Sequence, residues 1–519
     1  MIFDEKNWAT MGLITSDVAI VGAGAAGITL GLELEAKGFS VNIFEGGDES
    51  FSEMSQDLYS GSIVDRDLPY GLQYSRMRFL GGSTNCWGAG CGVYGDNELL
   101  DRDWVSKSRW PIEHSDLVPF YRKASRFLDL PDVLDAEASR DRIISGFDNP
   151  ALYYTKKQNF KEEFTPHFQS SKILNVFLQA NLKQFRENSS NGIKELELAG
   201  FDGSSIICKS DIVVLCCGGI ENARLLLNSR DSPENAIGNA NDLVGRYFSD
   251  HPITPLATVF APKESVLNDL ERITFSDRFS KSDIHVIPYF KIPDAVQRDR
   301  KMLNAAVSVQ VENSALTDAQ LSAWSLKKGW SEDGLKGLEL APILDVLKHP
   351  IEVAQAVYER NAGVGRFAIR IQMEQEPNFY SRVQLSDKRD RFGHYKTLLD
   401  WRFTELDRRT LDETVKYCAA TFAKGRLGVL EVDSSIINNQ SEIPADLRGG
   451  QHHSGTTRMG VNEGDGVVDK NLKVFGTKNL YIAGSSVLPT NSWVNPTFTI
   501  IALAFRLGDH IEKILNERK

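Results

Sequence analysis

Residues 17–45, DVAIVGAGAAGITLGLELEAKGFSVNIFE, constrain the chain more than any other stretch. The apolar run Val18 to Val21 suits a strand buried on both faces, as in a parallel sheet. Gly22, Gly24 and Gly27 follow at the spacing G-x-G-x-x-G, then a helical stretch and a second apolar strand ending in Glu45. Gly22 permits a tight turn, Gly24 lets backbone approach a pyrophosphate, and Gly27 allows close packing of helix on strand. Ala23, Ala25 and Ala26 complete the turn and the start of the helix, whose free N–H groups and dipole favour a phosphate. Glu45 stands where a carboxylate accepts hydrogen bonds from the ribose hydroxyls of an adenosine, which argues against a ribose 2'-phosphate. The pattern predicts a dinucleotide-binding β-α-β unit and leaves FAD and NAD both open.

A chain of 519 residues is too long for one compact core, so two parts are expected. With 59 basic and 70 acidic residues the net charge is −11, and no basic patch stands out, so neither nucleic acid nor an anionic membrane is an expected partner. The first residues, MIFDEKNWATMGLITS, carry acids where a signal peptide needs basic residues and lack an apolar core, so a cytoplasmic location is expected. Six cysteines show neither a disulfide framework nor paired zinc spacing, so no metal is expected. The apolar C-terminal run from Thr497 is broken by Arg506 and Asp509, short of the roughly 20 residues of a membrane span.

A second glycine-rich element, RMRFLGGSTNCWGAGC at 76–91, offers Gly81, Gly82, Ser83, Thr84 and Asn85 as small groups and backbone donors that can lie against a planar ring. Read alone, it is equally a surface turn with Trp87 as a core aromatic. Further segments are DIVVLCCGGIENARLLLNS at 211–229, QMEQEPNFYSRVQLSD at 372–387, GGQHHSGTTRMG at 449–460 and KNLYIAGSSVLPTNSWVNPTFTIIALAF at 478–505. Together with the two glycine elements they make the chain resemble the glucose-methanol-choline (GMC) family of FAD-dependent oxidoreductases. WPIEHSDLVPFYRKA, GGIENARLLL and NPTFTIIALA resemble its branch of pyranose oxidases and sugar dehydrogenases.

The resemblance implies an α/β fold: a discontinuous Rossmann-type FAD-binding domain from 1–100, 175–255 and 445–519, and an α+β substrate domain with an antiparallel sheet from 101–174 and 256–444. Some relatives hold FAD covalently through a histidine near 83–87; STNCW has none, so FAD is expected to be non-covalent. Apolar alternation in IHVIPYFKI (284–292), NAAVSVQVE (304–312) and GRFAIRIQME (365–374) predicts strands with one buried face. Residues 313–362 read as a helical insertion that is a lid, a dock for a partner or, more simply, cover for that sheet, and RENSSNG at 186–192 as a turn between strands.

Two histidines stand side by side in GGQHHSGTTRMG. Oxidation of an alcohol at a flavin requires a base for the hydroxyl proton, and neutral histidine is suited to it. His452 holds the family position H-x-x-G-T and is the expected general base. His453 faces another way on extended backbone. It reads as a loop residue and a weaker candidate for substrate contact. The family's partner position falls on Asn495 in SWVNPTF, which can donate to the substrate oxygen but cannot exchange a proton; it is equally an N-cap, with Pro496 and Thr497 opening the last helix. That helix start, with Gly484 and Ser485, is expected against FAD. Gln372 and Glu374 share one strand face and are candidates for a polyol substrate, with a solvated face as the plain alternative. His251 in FSDHPI is read as structural. The expected activity is oxidation of a secondary hydroxyl of a sugar, glycoside, aminosugar or cyclitol, with oxygen, a quinone or another carrier as electron acceptor. The rivals are a redox-neutral flavin lyase using the same histidine, oxidation of a non-sugar alcohol, and a non-catalytic flavin-bearing subunit.

Overall fold

The computed structural model describes residues 1–64, 71–138, 144–189, 191–262, 265–267, 285–311, 364–432, 436 and 447–518. The expected strand, turn, helix and strand are Leu13–Val21, Ala25–Ala36 and Val41–Phe44, with Val18 to Val21 and Val41 to Phe44 all buried. They sit in an eight-stranded sheet. Leu13–Val21 pairs in parallel with Val41–Phe44 on one side and with Ser205–Leu215 on the other. Val41–Phe44 pairs in parallel with Leu174–Phe177, which pairs with Ile2–Phe3 at the edge. Ser205–Leu215 is shared: its first half lies antiparallel to Ile193–Ala199, and its second half parallel to Leu480–Ile482. Ile193–Ala199 in turn pairs antiparallel with Asn181–Glu187, as a turn at 186–192 requires.

The C-terminal helix Thr497–Arg518 packs on Ala25–Ala36 and on His114–Phe127. Tyr121 stacks on Phe498 with ring centroids 5.5 Å apart, and Phe127 meets Phe505 edge-on. Leu117, Tyr121, Phe160 and Phe168 all join the core under the parallel sheet. The structure therefore gives helices His114–Phe127 and Phe160–Ser170 to the first core, although the sequence pattern groups 101–174 with the second part. Among the described residues no helix is long and apolar enough to cross a membrane.

The second, six-stranded sheet is antiparallel and carries Phe290–Lys291, Ala305–Val311, Val364–Met373, Pro252–Pro262, Val429–Val432 and Arg448–Gly449. Strand periodicity sends Val307, Val309, Phe367, Ile369 and Ile371 to one face, where they bury against Leu411, Cys418 and Phe422 of the helix Glu405–Gly425. Gln372 points the other way. The run 284–292 is not one strand: His285–Pro288 pairs with Ala151–Tyr154 in a three-stranded sheet, and Phe290–Lys291 joins the six-stranded one. The first ladder runs on to Tyr289, whose N–H donates to Pro150 O at 2.8 Å, and the chain then changes sheet. The proposed helical insertion 313–362 lies outside the described residues. Ser249 and Ser454 bridge, with amide to carbonyl distances of 3.1 and 2.8 Å, and between them Tyr395–Asp400 pairs in parallel with Gly61–Ile63.

Candidate active site

One cleft runs between the glycine turn and the two histidines. At its nucleotide end the three glycines divide their tasks. Gly22 has φ +103°, and a Cβ there would meet Cys216 O at 2.7 Å; a Cβ on Gly27 would meet Gly22 O at 2.0 Å. Gly24 is the opposite case: its Cβ would meet no atom within 4 Å, so the space over it is open. The helix beginning at Ala25 has no side-chain cap, which leaves its first N–H groups free for an anion. Glu45 lines the cleft, buried, with Oε2 accepting from Ala23 N at 3.0 Å and Oε1 from Gly47 N at 2.8 Å.

The second glycine element packs directly on the first. Gly81 N donates to Ala23 O at 2.9 Å, and a Cβ on Gly82 would lie 3.0 Å from Gly24 Cα. Gly82 and Ser83 line the cleft, whereas Gly27, Gly81 and Asn85 stand behind it. Asn85 is corrected to a loop brace: its amide nitrogen donates to Leu80 O at 2.9 Å and Gly82 O at 2.8 Å. Ala23, Ala25, Ala26, Gly484, Ser485, Pro496 and Thr497 all line the cleft.

The sequence reading missed two arginines in that element. Arg78 donates to Ser55 Oγ at 2.8 Å and Asn181 Oδ1 at 2.7 Å. Arg76 is buried, its Nε has no partner, and its other contacts are long, 3.5 Å to Leu72 O and Tyr59 O. Neither pairs with a carboxylate among the described residues. A buried guanidinium normally needs an anion, so Arg76, the open face of Gly24 and the uncapped helix together fit the phosphates of a dinucleotide. RMR beside a glycine pair was the available signal; burial is not written in it.

At the other end Asp250 organises both histidines. Its Oδ1 accepts from the backbone of His251 and of His452, each at 2.7 Å, and its Oδ2 from Gln451 N at 3.1 Å. Gln451 has φ +61°, a left-handed turn that sets His452 and His453 on different courses. His452 Nδ1 lies 2.9 Å from His251 Nδ1 with the rings edge-on, no hydrogen bond to its Nε2 is made among the described residues, and the residue lines the cleft. His453 also lines the cleft, beside the Phe248 ring, with Nε2 3.9 Å from Asp250 Oδ2. Burial lowers His452 to about 4. Burial, helped by Arg76 and His452, lowers His453 to about 3, and burial raises Asp250 to about 7. All three imidazoles, His251 included, are neutral at pH 7.

Asn495 faces the same cleft, with its amide nitrogen 3.4 Å from Gly90 O. Gln372 Nε2 donates to Asn495 Oδ1 at 3.1 Å and to Trp493 O at 2.5 Å. Glu374 is corrected. It is fully buried, gripped by Arg102 through both oxygens at 2.6 and 2.7 Å and by Asn304 at 2.8 and 3.1 Å, so no acceptor is left for a substrate. Gln372 and Glu374 are both buried, and neither lines the cleft.

The fold is mixed α/β, and one cleft joins its glycine turn to the buried neutral histidines. Residues 377–504 match the family model described as GMC oxidoreductase, and this part of the chain is a GMC oxidoreductase C-terminal domain. FAD is the cofactor of these flavoenzymes. The chain is 30% identical over 146 residues to C-glycoside 3-oxidase of Arthrobacter globiformis, covering 28% of this chain and 25% of that protein. It is 26% identical over 307 residues to the fructose dehydrogenase large subunit of Gluconobacter japonicus, covering 59% and 47%. The matches thus span a quarter to about half of these relatives' lengths. Pyridoxine 4-oxidase from Mesorbium loti shares the fold, with TM-score 0.56 at 15% identity over 95% of this chain and 98% of that one.

Proposed function

We infer that the chain is an FAD-dependent oxidoreductase acting on a secondary hydroxyl of a sugar, glycoside, aminosugar or cyclitol. The observation that carries this reading is the neutral His452, whose unpaired Nε2 opens with Asn495 onto the cleft that begins at the glycine turn. The names of C-glycoside 3-oxidase and fructose dehydrogenase support the sugar class.

FAD, when bound, supplies the acceptor for the carbon-bound hydride. Gly22, Gly24, Ala25, Arg76 and Glu45 would hold its adenosine and phosphates, and Gly82, Ser83, Gly484, Ser485, Pro496 and Thr497 the remainder. The absence of a histidine in STNCW favours non-covalent binding. His452 Nε2 takes the hydroxyl proton as general base. Asn495 Oδ1 already accepts from Gln372, which orients its NH2 as the group that donates to the substrate oxygen. The N-terminus of Thr497–Arg518, which lines the cleft at Thr497, would favour negative charge developing there. The segments 1–100, 175–255 and 445–519 then form the FAD-binding part, joined by helices 114–127 and 160–170, and the six-stranded sheet forms the substrate part.

Anaerobic titration of the yellow protein with sugars, glycosides, aminosugars, cyclitols and simple alcohols tests the reading. Bleaching by one class names the substrate, and admitting air then separates an oxidase from an enzyme reoxidised by a quinone or another carrier. A flavin bleached by dithionite but by none of the panel sinks it.

A further inference from the structure

Two neutral imidazoles in contact share one proton, and the ring that holds it decides what the other can do. His452 Nδ1 and His251 Nδ1 are 2.9 Å apart, so one donates and the other accepts. A neutral imidazole carries a single N–H. If His452 donates, its Nε2 is a lone pair facing the cleft. If it accepts, Nε2 carries the hydrogen and cannot take a proton from anything.

Gln372 gives the direction. Its amide nitrogen lies against two oxygen acceptors, Trp493 O at 2.5 Å and Asn495 Oδ1 at 3.1 Å, which fixes that atom as the NH2 rather than the carbonyl. The same nitrogen is 3.5 Å from His251 Nδ1. An NH2 facing that atom favours a lone pair there and opposes a second N–H. His251 therefore accepts at Nδ1 and keeps its hydrogen on Nε2, an atom that is buried with no partner. An orphaned buried donor costs stability.

We propose that His251 is a positioning residue that sets the tautomer of His452, accepting its Nδ1–H so that the Nε2 lone pair faces the cleft. When Nε2 binds a proton, the proton stays on His452 and the Nδ1–H to His251 bond becomes charge-assisted. The inference deepens the reading of His452 as the base and rests on it for its purpose, though not for its geometry.

Nitrogen-15 NMR of the FAD-loaded protein labelled at histidine reads the tautomer with no substrate present. Signals are assigned by their loss in His452→Gln and His251→Asn. Unprotonated, pyridine-type signals are expected at His452 Nε2 and His251 Nδ1; a protonated, pyrrole-type signal at His452 Nε2 overturns the proposal. A second arm compares His251→Ala, which removes the acceptor, with His251→Asn, which keeps one near the Nδ1 position. If a tenth of the molecules retain the productive tautomer, flavin reduction at saturating substrate falls about tenfold in the Ala variant. FAD content and KM stay unchanged, and the Asn variant recovers most of the rate. Equal losses in both variants, or loss of FAD alone, overturn it. A flavin that no alcohol bleaches, with the expected tautomer present, counts against the alcohol reading and leaves this one standing.

Discussion

The side-chain amide of Gln372 donates to Asn495 Oδ1 at 3.1 Å, joining the middle of the antiparallel sheet to the residue that opens the last helix. Replacing Gln372 with Leu removes this bond and frees Asn495 to turn. One hydrogen bond of this kind is worth about 1 kcal/mol, so kcat/KM for the substrate is expected to fall roughly fivefold with FAD content unchanged. Stopped-flow reduction at varied substrate measures it.

His452→Ala is expected to bind FAD normally and to reduce it at least about a hundredfold more slowly, the loss expected for a missing general base. Unchanged reduction would remove His452 from the chemistry.

Gly24→Val tests the cofactor cleft without relying on catalysis. Gly24 has φ −93°, open to any residue, and its added Cβ meets only empty space. The apoprotein should keep its stability within about 0.5 kcal/mol and lose FAD, read as the flavin-to-protein absorbance ratio. Gly27→Ala, driven into Gly22 O, is expected to yield little folded protein.

Stability should fall in acid because of the buried imidazoles. The folded pKa of His452, about 4, lies below the ordinary value near 6.5. Its contribution is therefore complete above pH 6.5 and is lost as pH falls toward 4, amounting to about 3 kcal/mol across that window. Asp250 acts in the other direction: raised to about 7, its contribution is lost as pH rises from the ordinary carboxylate range through 7. Denaturant midpoints from pH 7 down to 4 should show a shallower acid decline in His452→Gln than in the wild type.

Arg102→Leu strands the Glu374 carboxylate in the interior. Breaking one partner of a buried pair costs about 3–5 kcal/mol, and urea unfolding should register it. A change under about 1 kcal/mol would mean that Asn304 alone suffices for the carboxylate.

What was legible in the sequence was what is local. The strand, turn and helix from Leu13 to Ala36 rest on glycines two and three residues apart, and their three distinct tasks could be read from spacing. His452 could be placed because its motif is contiguous. His251 could not, because the atom that gives it meaning lies 201 positions away. Glu374 was misread for the same reason: strand alternation gave its face, but Arg102, 272 positions earlier, decided what covers that face. The run 284–292 alternates like one strand, and only the partners on either side of Tyr289 reveal two.

The bridge between Ser249 and Ser454 brings the two ends of a span of about two hundred residues into direct contact, next to Asp250 and His452. Within it Tyr395–Asp400 pairs with Gly61–Ile63 and Asp390 pairs with Arg224, so the span is tied to the nucleotide side at a second place. Both imidazoles of the His251–His452 pair lie inside this span, so a chimaera joined at 249 and 454 would carry the pair across together with the strands that surround it.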